Sequence, residues 1–311
     1  MISTQATPIQ IVQCPPSRRR EALLHLAAAH DPEQQAALSS AVKAMYNQPD
    51  TRWEGLWISL EAGQVTGAIW VQPLPMEMAQ LWLPKVDGAH ARALLGAAYE
   101  WVTNQPIRLC HLELSPQAAV PEALLLEFGM QRLASLEHLV GSTHRRLAMN
   151  EARPLTLQPL GAFSQAEQIN LLAAVGHDSL DSVPLRDVLS VNELLAGFQQ
   201  QDSQAPQHWY AVHYQDALVG VLLLAPRPLL NRWELMLMGL IPEWRGMGLG
   251  RALLNSALAL AQQSGTQEVV LAVDEVNVPA KRLYQQAGFK QYAQQRLLAW
   301  KGGGERSEAP H

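Results

Sequence analysis

Residues 240–254 read LIPEWRGMGLGRALL, and no other stretch limits the fold of this chain so tightly. The apolar run before them, 233–241, has the make-up of a strand, and the apolar periodicity after Gly250 is that of a helix. Between the two stand Gly246, Gly248 and Gly250, at alternate positions. Glycines so spaced let the backbone curl until successive N–H groups point into one concavity at a helix N-terminus. Such a nest holds a pyrophosphate with little help from side chains. The spacing excludes two common phosphate loops. G-x-G-x-x-G fails, because its last position is Arg251 counting from Gly246 and Leu253 counting from Gly248. The Gly-Lys-Ser/Thr of a P-loop does not occur. What fits is R-x-x-G-x-G, carried by Arg245, Gly248 and Gly250.

That pattern resembles the acyl-CoA-binding loop of the GCN5-related N-acetyltransferases, the GNAT superfamily, and the chain beyond it extends the resemblance. Residues 268–273 are rich in β-branched side chains and read as a buried strand. Residues 277–289 carry N-x-x-A-x-x-L-Y-x-x-x-G-F, which is similar to the second half of the acetyltransferase signature. Pro279 suits the first turn of a helix, and Gly288 the position just past its end. Ala280, Leu283 and Ala287 recur at core-facing spacing. The resemblance implies an α/β fold with a mixed sheet and an acetyl-CoA-dependent N-acetyltransferase. It also implies which residues hold the acyl-CoA: Met238 and Leu240 on the strand, then Arg245, Gly246, Met247, Gly248, Leu249, Gly250 and Arg251, and finally Asn277. Of these, Arg245 is expected to touch phosphate directly, and Arg251 to be a phosphate contact or a surface charge. Asn277 is expected to bond the pantetheine arm or a neighbouring backbone group.

Composition agrees with a globular enzyme. A chain of 311 residues, 48% apolar and 16% charged, has material for two ordinary domains. Its net charge of −5 argues against general affinity for nucleic acid. No stretch reads as a signal peptide or a membrane span, so a cytoplasmic protein without membrane partners is expected, as a monomer or homodimer. Cys14 and Cys110 suggest neither a disulfide framework nor a metal site, and the ten histidines form no metal-ligand pair. Residues 302–311, glycine-rich and polar, read as a disordered tail.

The chain also repeats itself. Residues 56–67 match 209–220 in pattern: a hydrophobic strand, a polar turn, and a strand entered through glycine. Residues 91–95 match 250–254, and 127–130 match 286–289, at the same separation. Two copies of one fold are expected, 1–150 and 154–301, joined near 150–154. They differ chemically. Where the second copy has its glycine loop, the first has Lys85, Val86, Asp87, Gly88, Ala89 and His90, with one glycine. Asp87 repels phosphate, and side chains at the former glycine positions block a pyrophosphate nest. Leu125 stands in place of Tyr284 and Ala118 in place of Asn277. The first copy should therefore be non-catalytic, and the tandem form with one degenerate half is known in the superfamily.

Acetyl transfer to an amine needs a base for the amine and a proton for the departing thiolate. Glu234 lies six residues before Leu240, roughly 20 Å along an extended strand, far enough from the loop to reach the acetyl end. Alternation puts Glu234, Met236, Met238 and Leu240 on one face. A carboxylate on so apolar a strand should have its charged form disfavoured, the tuning a general base needs, unless Arg232 pairs with it. The resemblance also makes Glu234 the general base. It places the Tyr284 hydroxyl near the thioester sulfur, and a phenol, with a pKa of roughly 10, can protonate a thiolate. The acceptor, a small-molecule or protein amine, is expected over 165–200, where Asp178 and Asp181 would suit a cation. Direct transfer in a ternary complex follows, because both cysteines lie in the first copy. The alternative is a non-enzymatic acyl-CoA sensor.

Overall fold

The computed structural model describes residues 8–46, 49–86, 88–148, 153–181, 189–201 and 205–302. Asp87, the tail from residue 303 and most of the expected junction at 150–154 lie outside them. The chain forms two compact units of mixed α/β structure. Unit 1 comprises 1–132 with 296–311, and unit 2 comprises 133–295.

Unit 1 holds β1 (Gln10–Gln13), α1 (Arg19–Ala27), α2 (Pro32–Met45), β2 (Leu56–Glu61), β3 (Gln64–Leu74), β4 (Met78–Trp82), α3 (Gly88–Thr103), β5 (Leu109–Leu114) and α4 (Glu122–Glu127). Its strands run in the order β1-β2-β3-β4-β5, with β4 and β5 parallel and the rest antiparallel. The next strand, β6, is Gln131–Ser142, and most of it belongs to unit 2. Unit 2 continues with β7 (Thr156–Pro159), α5 (Gln165–Gly176), α6 (Val191–Gln201), β8 (Trp209–Tyr214), β9 (Ala217–Arg227), β10 (Arg232–Leu240), α7 (Leu249–Gln263), β11 (Glu268–Asp274) and α8 (Val278–Gln286). The last strand, β12 (Lys290–Lys301), ends in unit 1.

The repeat is visible element by element. β3 and β9 are each 11 residues long, and β6 and β12 are each 12. β2 and β8 carry a bulge at the matching place, Ser59/Leu60 and Val212/His213. The β2–β3 turn takes positive φ at Ala62 and Gly63, and the β8–β9 turn at Gln215 and Asp216. Two residues of positive φ are what a tight hairpin of right-twisted strands demands.

The compact units nevertheless cross the boundary read from the sequence. In unit 2, residues 136–142 of β6 pair antiparallel with β11, from Glu268↔Ser142 to Asp274↔Leu136. In unit 1, residues 296–301 of β12 pair with β5, from Arg296↔Leu114 to Lys301↔Leu109. Each unit thus includes a strand segment from the other repeat. Leu298 and Trp300 are buried in the unit 1 core, and Leu139 in that of unit 2. The expected division into 1–150 and 154–301 describes the repeat and not the packing. Strand pairing across a hydrophobic face decides the packing, whatever the order along the chain.

Each sheet is covered on both faces. In unit 2 one face meets α7 and α8 through Leu253, Leu254, Ala257, Leu258 and Tyr284, and the other meets α5 and α6 through Leu171, Leu172, Val175 and Leu195. A capping box fixes the start of α5: Ser164 Oγ accepts the Glu167 N–H, and Glu167 Oε2 accepts the Ser164 N–H. Among the described residues no helix is long and apolar enough to cross a membrane.

Candidate functional site

The site is built where β10 parts from β11. These parallel strands pair only at Trp233↔Val269 and Glu234↔Val270. Past Glu234, β10 stays bonded to β9 as far as Leu240↔Gly220, while β11 stays bonded to β6. Backbone N–H and C=O groups along the parted edges are therefore offered to whatever enters the gap, since buried peptide groups demand partners. Gly239 lets the strand lie against α5, where a methyl at this position would run into Val175.

The loop of 245–250 closes one end of the gap. Gly246 and Gly248 have φ of 75° and 79°, values that L side chains rarely adopt. Gly248 occupies the cap position of α7, where no side chain caps the helix, so no side chain takes up its first-turn N–H groups at the cap. Gly250 needs no unusual φ, and a Cβ there would meet Leu283 at an ordinary 3.6 Å. Leu249 is fully buried and anchors the loop, whereas Met247 stands 42% exposed. Met238 and Leu240 are half-buried on the α7 face.

Arg245 is engaged by backbone carbonyls. Its Nε donates to the Leu240 carbonyl at 2.9 Å, and its Nη atoms donate to the carbonyls of Val175 (2.9 Å), His177 (2.7 Å) and Asp178 (3.1 Å). Those last three carbonyls lie at the C-terminal end of α5, which lacks intrahelical donors and carries a partial negative charge. The guanidinium joins α5, β10 and the loop through these four carbonyls. Arg251 donates to Gln286 Oε1 at 2.5 Å on the surface. Asn277 Oδ1 accepts the Ala280 N–H at 3.3 Å and caps α8, so its side chain is engaged by neighbouring backbone.

One cation near the loop was not anticipated. Arg153, close to the start of β7, brings its Nε to 3.6 Å from where a Cβ on Gly248 would stand. Nothing in the local sequence marks this arginine, because it reaches the loop only through the tertiary fold.

Glu234 lies at the other end of the gap. The β9–β10 register shifts between Leu235 and Leu237, and this bulge adds one residue to β10. It inverts the alternation: Met236 packs with the α5 and α6 side, while Met238 and Leu240 pack with α7. The single face expected for Glu234, Met236, Met238 and Leu240 is therefore split. Glu234 is opposite Ala225, a residue of the α5–α6 core, and pairs with Arg227 of β9. Arg227 Nε is 2.7 Å and Nη2 2.5 Å from Glu234 Oε2, with both side chains partly accessible. The carboxylate is not isolated among apolar groups, and its partner is Arg227 rather than Arg232.

Tyr284 is buried on the α8 side, its ring centroid 5.6 Å from that of Phe289. Burial, with the Asp181 carboxylate nearby, pushes its phenol well above the ordinary value, so the group keeps its proton. Asp181 Oδ1 accepts the Asp274 N–H at 3.3 Å, which sets it at the C-terminal end of β11. Asp178 is instead exposed, at φ 52°, and pairs with His177 at 3.0 Å. Residues 182–184, part of the expected acceptor segment, lie outside the described residues.

Residues 179–289 match the model of the acetyltransferase (GNAT) family. A mycothiol acetyltransferase of Thermobispora bispora is 38% identical over 89 residues, 27% of this chain and 26% of that protein. The mycothiol acetyltransferase of Thermomonospora curvata is 28% identical over 248 residues, covering 76% of this chain and 79% of that one. The first match thus spans about a quarter of the relative's length. In fold, the chain is similar to a tandem GNAT protein from the clavulanic acid biosynthesis pathway, with a TM-score of 0.56, 15% identity, and coverage of 96% and 100%.

Proposed function

The chain belongs to the GNAT acetyltransferase superfamily, in a tandem arrangement resembling mycothiol synthase, and from that premise we propose that unit 2 transfers an acetyl group from acetyl-CoA to a small-molecule primary amine. The observation that carries this reading is the order of parts along one gap: a glycine nest at a helix N-terminus, a parted strand edge, then a carboxylate. Residues 246–251 and Arg153 would hold the phosphates, and the free edge of β10 would bond the pantetheine arm. When bound, acetyl-CoA supplies the activated acetyl thioester.

The chain's own residues supply the proton traffic. Glu234 accepts the proton that the attacking ammonium must shed, and Arg227 holds that carboxylate in place. As the C–N bond forms and the C–S bond breaks, Tyr284 delivers a proton to the sulfur. Its raised pKa suits a donor that stays protonated at neutral pH. No cysteine lies in unit 2, so transfer is direct, within a ternary complex. The corresponding sequence of unit 1, 85–90, carries one glycine where unit 2 has three, and unit 1 is read as non-catalytic.

A panel of primary amines offered with acetyl-CoA, followed by release of free thiol, tests the reading. Amine-dependent release supports it. Acetyl-CoA binding without release for any amine would favour a sensor instead.

A further inference from the structure

On the α5–α6 side of unit 2 the helices cover only part of the sheet. The apolar cluster beneath them draws on β8, β9 and β10 and takes no residue from β11 or β6. Val269, Leu271 and Val273 of β11 pack toward α7, so Ala272 faces the α5–α6 side. Ala272 is exposed in mid-strand, and its partner across the ladder is the half-buried His138 of β6. An exposed residue at the middle of an interior strand marks an open trough in the sheet face. The same face of β10 borders that trough. Trp233 and Leu235 belong to the α7 core, so Arg232 and Glu234, ahead of the bulge, stand on the trough side. The Arg232 guanidinium lies over the Tyr292 ring at 5.9 Å from its centroid, and that ring meets the His138 ring at 6.0 Å. Arg232 and Tyr292 thus close one end of the trough, beside Glu234.

Two arginines flank Glu234, and they differ in what they hold. Arg227, opposite Arg232 in the β9–β10 register, pairs with the Glu234 carboxylate. Arg232 is half-buried, forms no ion pair among the described residues, and has no hydrogen-bond partner there for its Nε. Stacking on a ring occupies the face of a guanidinium and leaves its in-plane N–H donors to other partners. A fork of charged donors of this kind matches a carboxylate or a phosphate. Arg232 and Glu234 are two residues apart on one face, roughly 7 Å along the strand. An acceptor that reaches both has its amine at Glu234 and an acidic group several bonds away at Arg232. We propose that the acceptor is an amine carrying a carboxylate or phosphate at that spacing, and that Arg232 is the residue that selects it. The proposal rests on the reading of unit 2 as an acetyltransferase of small primary amines.

Matched amines test it on the full chain. Glucosamine 6-phosphate is compared with glucosamine, and 6-aminohexanoate with hexylamine, each offered with acetyl-CoA and followed by thiol release. In at least one pair the acidic member should have a kcat/KM at least about ten-fold higher, carried by KM, and the pair that shows it tells phosphate from carboxylate. Arg232→Gln should bring that ratio toward one, and Arg232→Lys should restore part of it. An arginine with a merely structural role would lower both members of a pair alike. The same amines are titrated calorimetrically into the protein saturated with coenzyme A, a readout that needs no transfer. Binding of an acidic amine that Arg232→Gln abolishes, without turnover, would sink the transferase reading and uphold the Arg232 site. Turnover with equal kcat/KM within both pairs, or a preference that survives in Arg232→Gln, would overturn the proposal and leave the transferase standing. Acidic amines that neither bind nor react would overturn it as well.

Discussion

β4 and β10 occupy the same place in the two repeats, and only one of them is bulged. β4 is five residues long and pairs with β3 without interruption from Trp70↔Trp82 to Leu74↔Met78. β10 has nine residues and breaks its register with β9 between Leu235 and Leu237. Both strands part from their parallel neighbours after a few pairs, β4 past Gln80 and β10 past Glu234. The opening is therefore a property of the fold. The bulge, the glycine nest and the pair Glu234–Tyr284 are what unit 2 adds. In unit 1 the position matching Tyr284 is Leu125, and both side chains are buried in the core of their unit, but only the tyrosine carries a hydroxyl.

That contrast can be broken at several points. The largest effect is expected from cutting the chain at the repeat boundary. Expressed alone, 154–301 leaves β11 without β6 and the end of β12 without β5, so it should aggregate, while co-expression with 1–150 should restore a soluble complex. Independent folding of the two segments, seen by solubility and circular dichroism, would show that strand exchange is dispensable. Next, Gly248→Val forces a β-branched residue to φ 79° in the nest and should weaken acetyl-CoA binding more than about 100-fold. Calorimetric titration should then lose its single site per chain; a surviving site would place acyl-CoA in unit 1.

Glu234→Gln keeps the shape of the side chain and removes its basicity. It should lower kcat by about 10²- to 10⁴-fold and leave KM for acetyl-CoA nearly unchanged. An unaltered kcat would remove Glu234 from the mechanism.

Acid should act on unit 1 through its histidines. Burial pushes His111 down to about 4 and lowers His30 as well. A lowered histidine means that the unfolded chain binds the proton more tightly. Stability is then full above roughly pH 6.5 and is lost as the pH falls through about 4, by up to about 3 kcal/mol for His111. Urea melts at pH 7 and pH 5 should show the loss, and His111→Gln should flatten it. The smallest effect is expected from Arg153→Ala, about three- to ten-fold in acetyl-CoA affinity and more at low salt. No change would mean that the loop N–H groups suffice.

Much of this molecule was legible in its sequence because the features are local. Gly246 and Gly248 announced a backbone conformation that other residues resist, and Pro279 with Gly288 marked the two ends of α8. Hydrophobic alternation located β2, β3, β8 and β9, and the repeat emerged from comparing them. The roles of Arg245, Arg227 and Arg153 were not legible. Each meets partners brought by other elements: carbonyls some seventy residues away for Arg245, a neighbouring strand for Arg227, and a distant loop for Arg153. The facing of Glu234 was also misread, since one extra residue in a strand reverses every later side chain and leaves no mark in composition.

By itself, then, the sequence determined the elements, the repeat and the kind of loop, all of which depend on short-range periodicity and on the conformational freedom of glycine. The tertiary structure decided which strand completes which sheet, which face Glu234 presents, and which cations are already committed. Those outcomes depend on hydrogen bonds and packing between residues far apart in the chain, where the free energy of pairing is gained only once the whole sheet has closed.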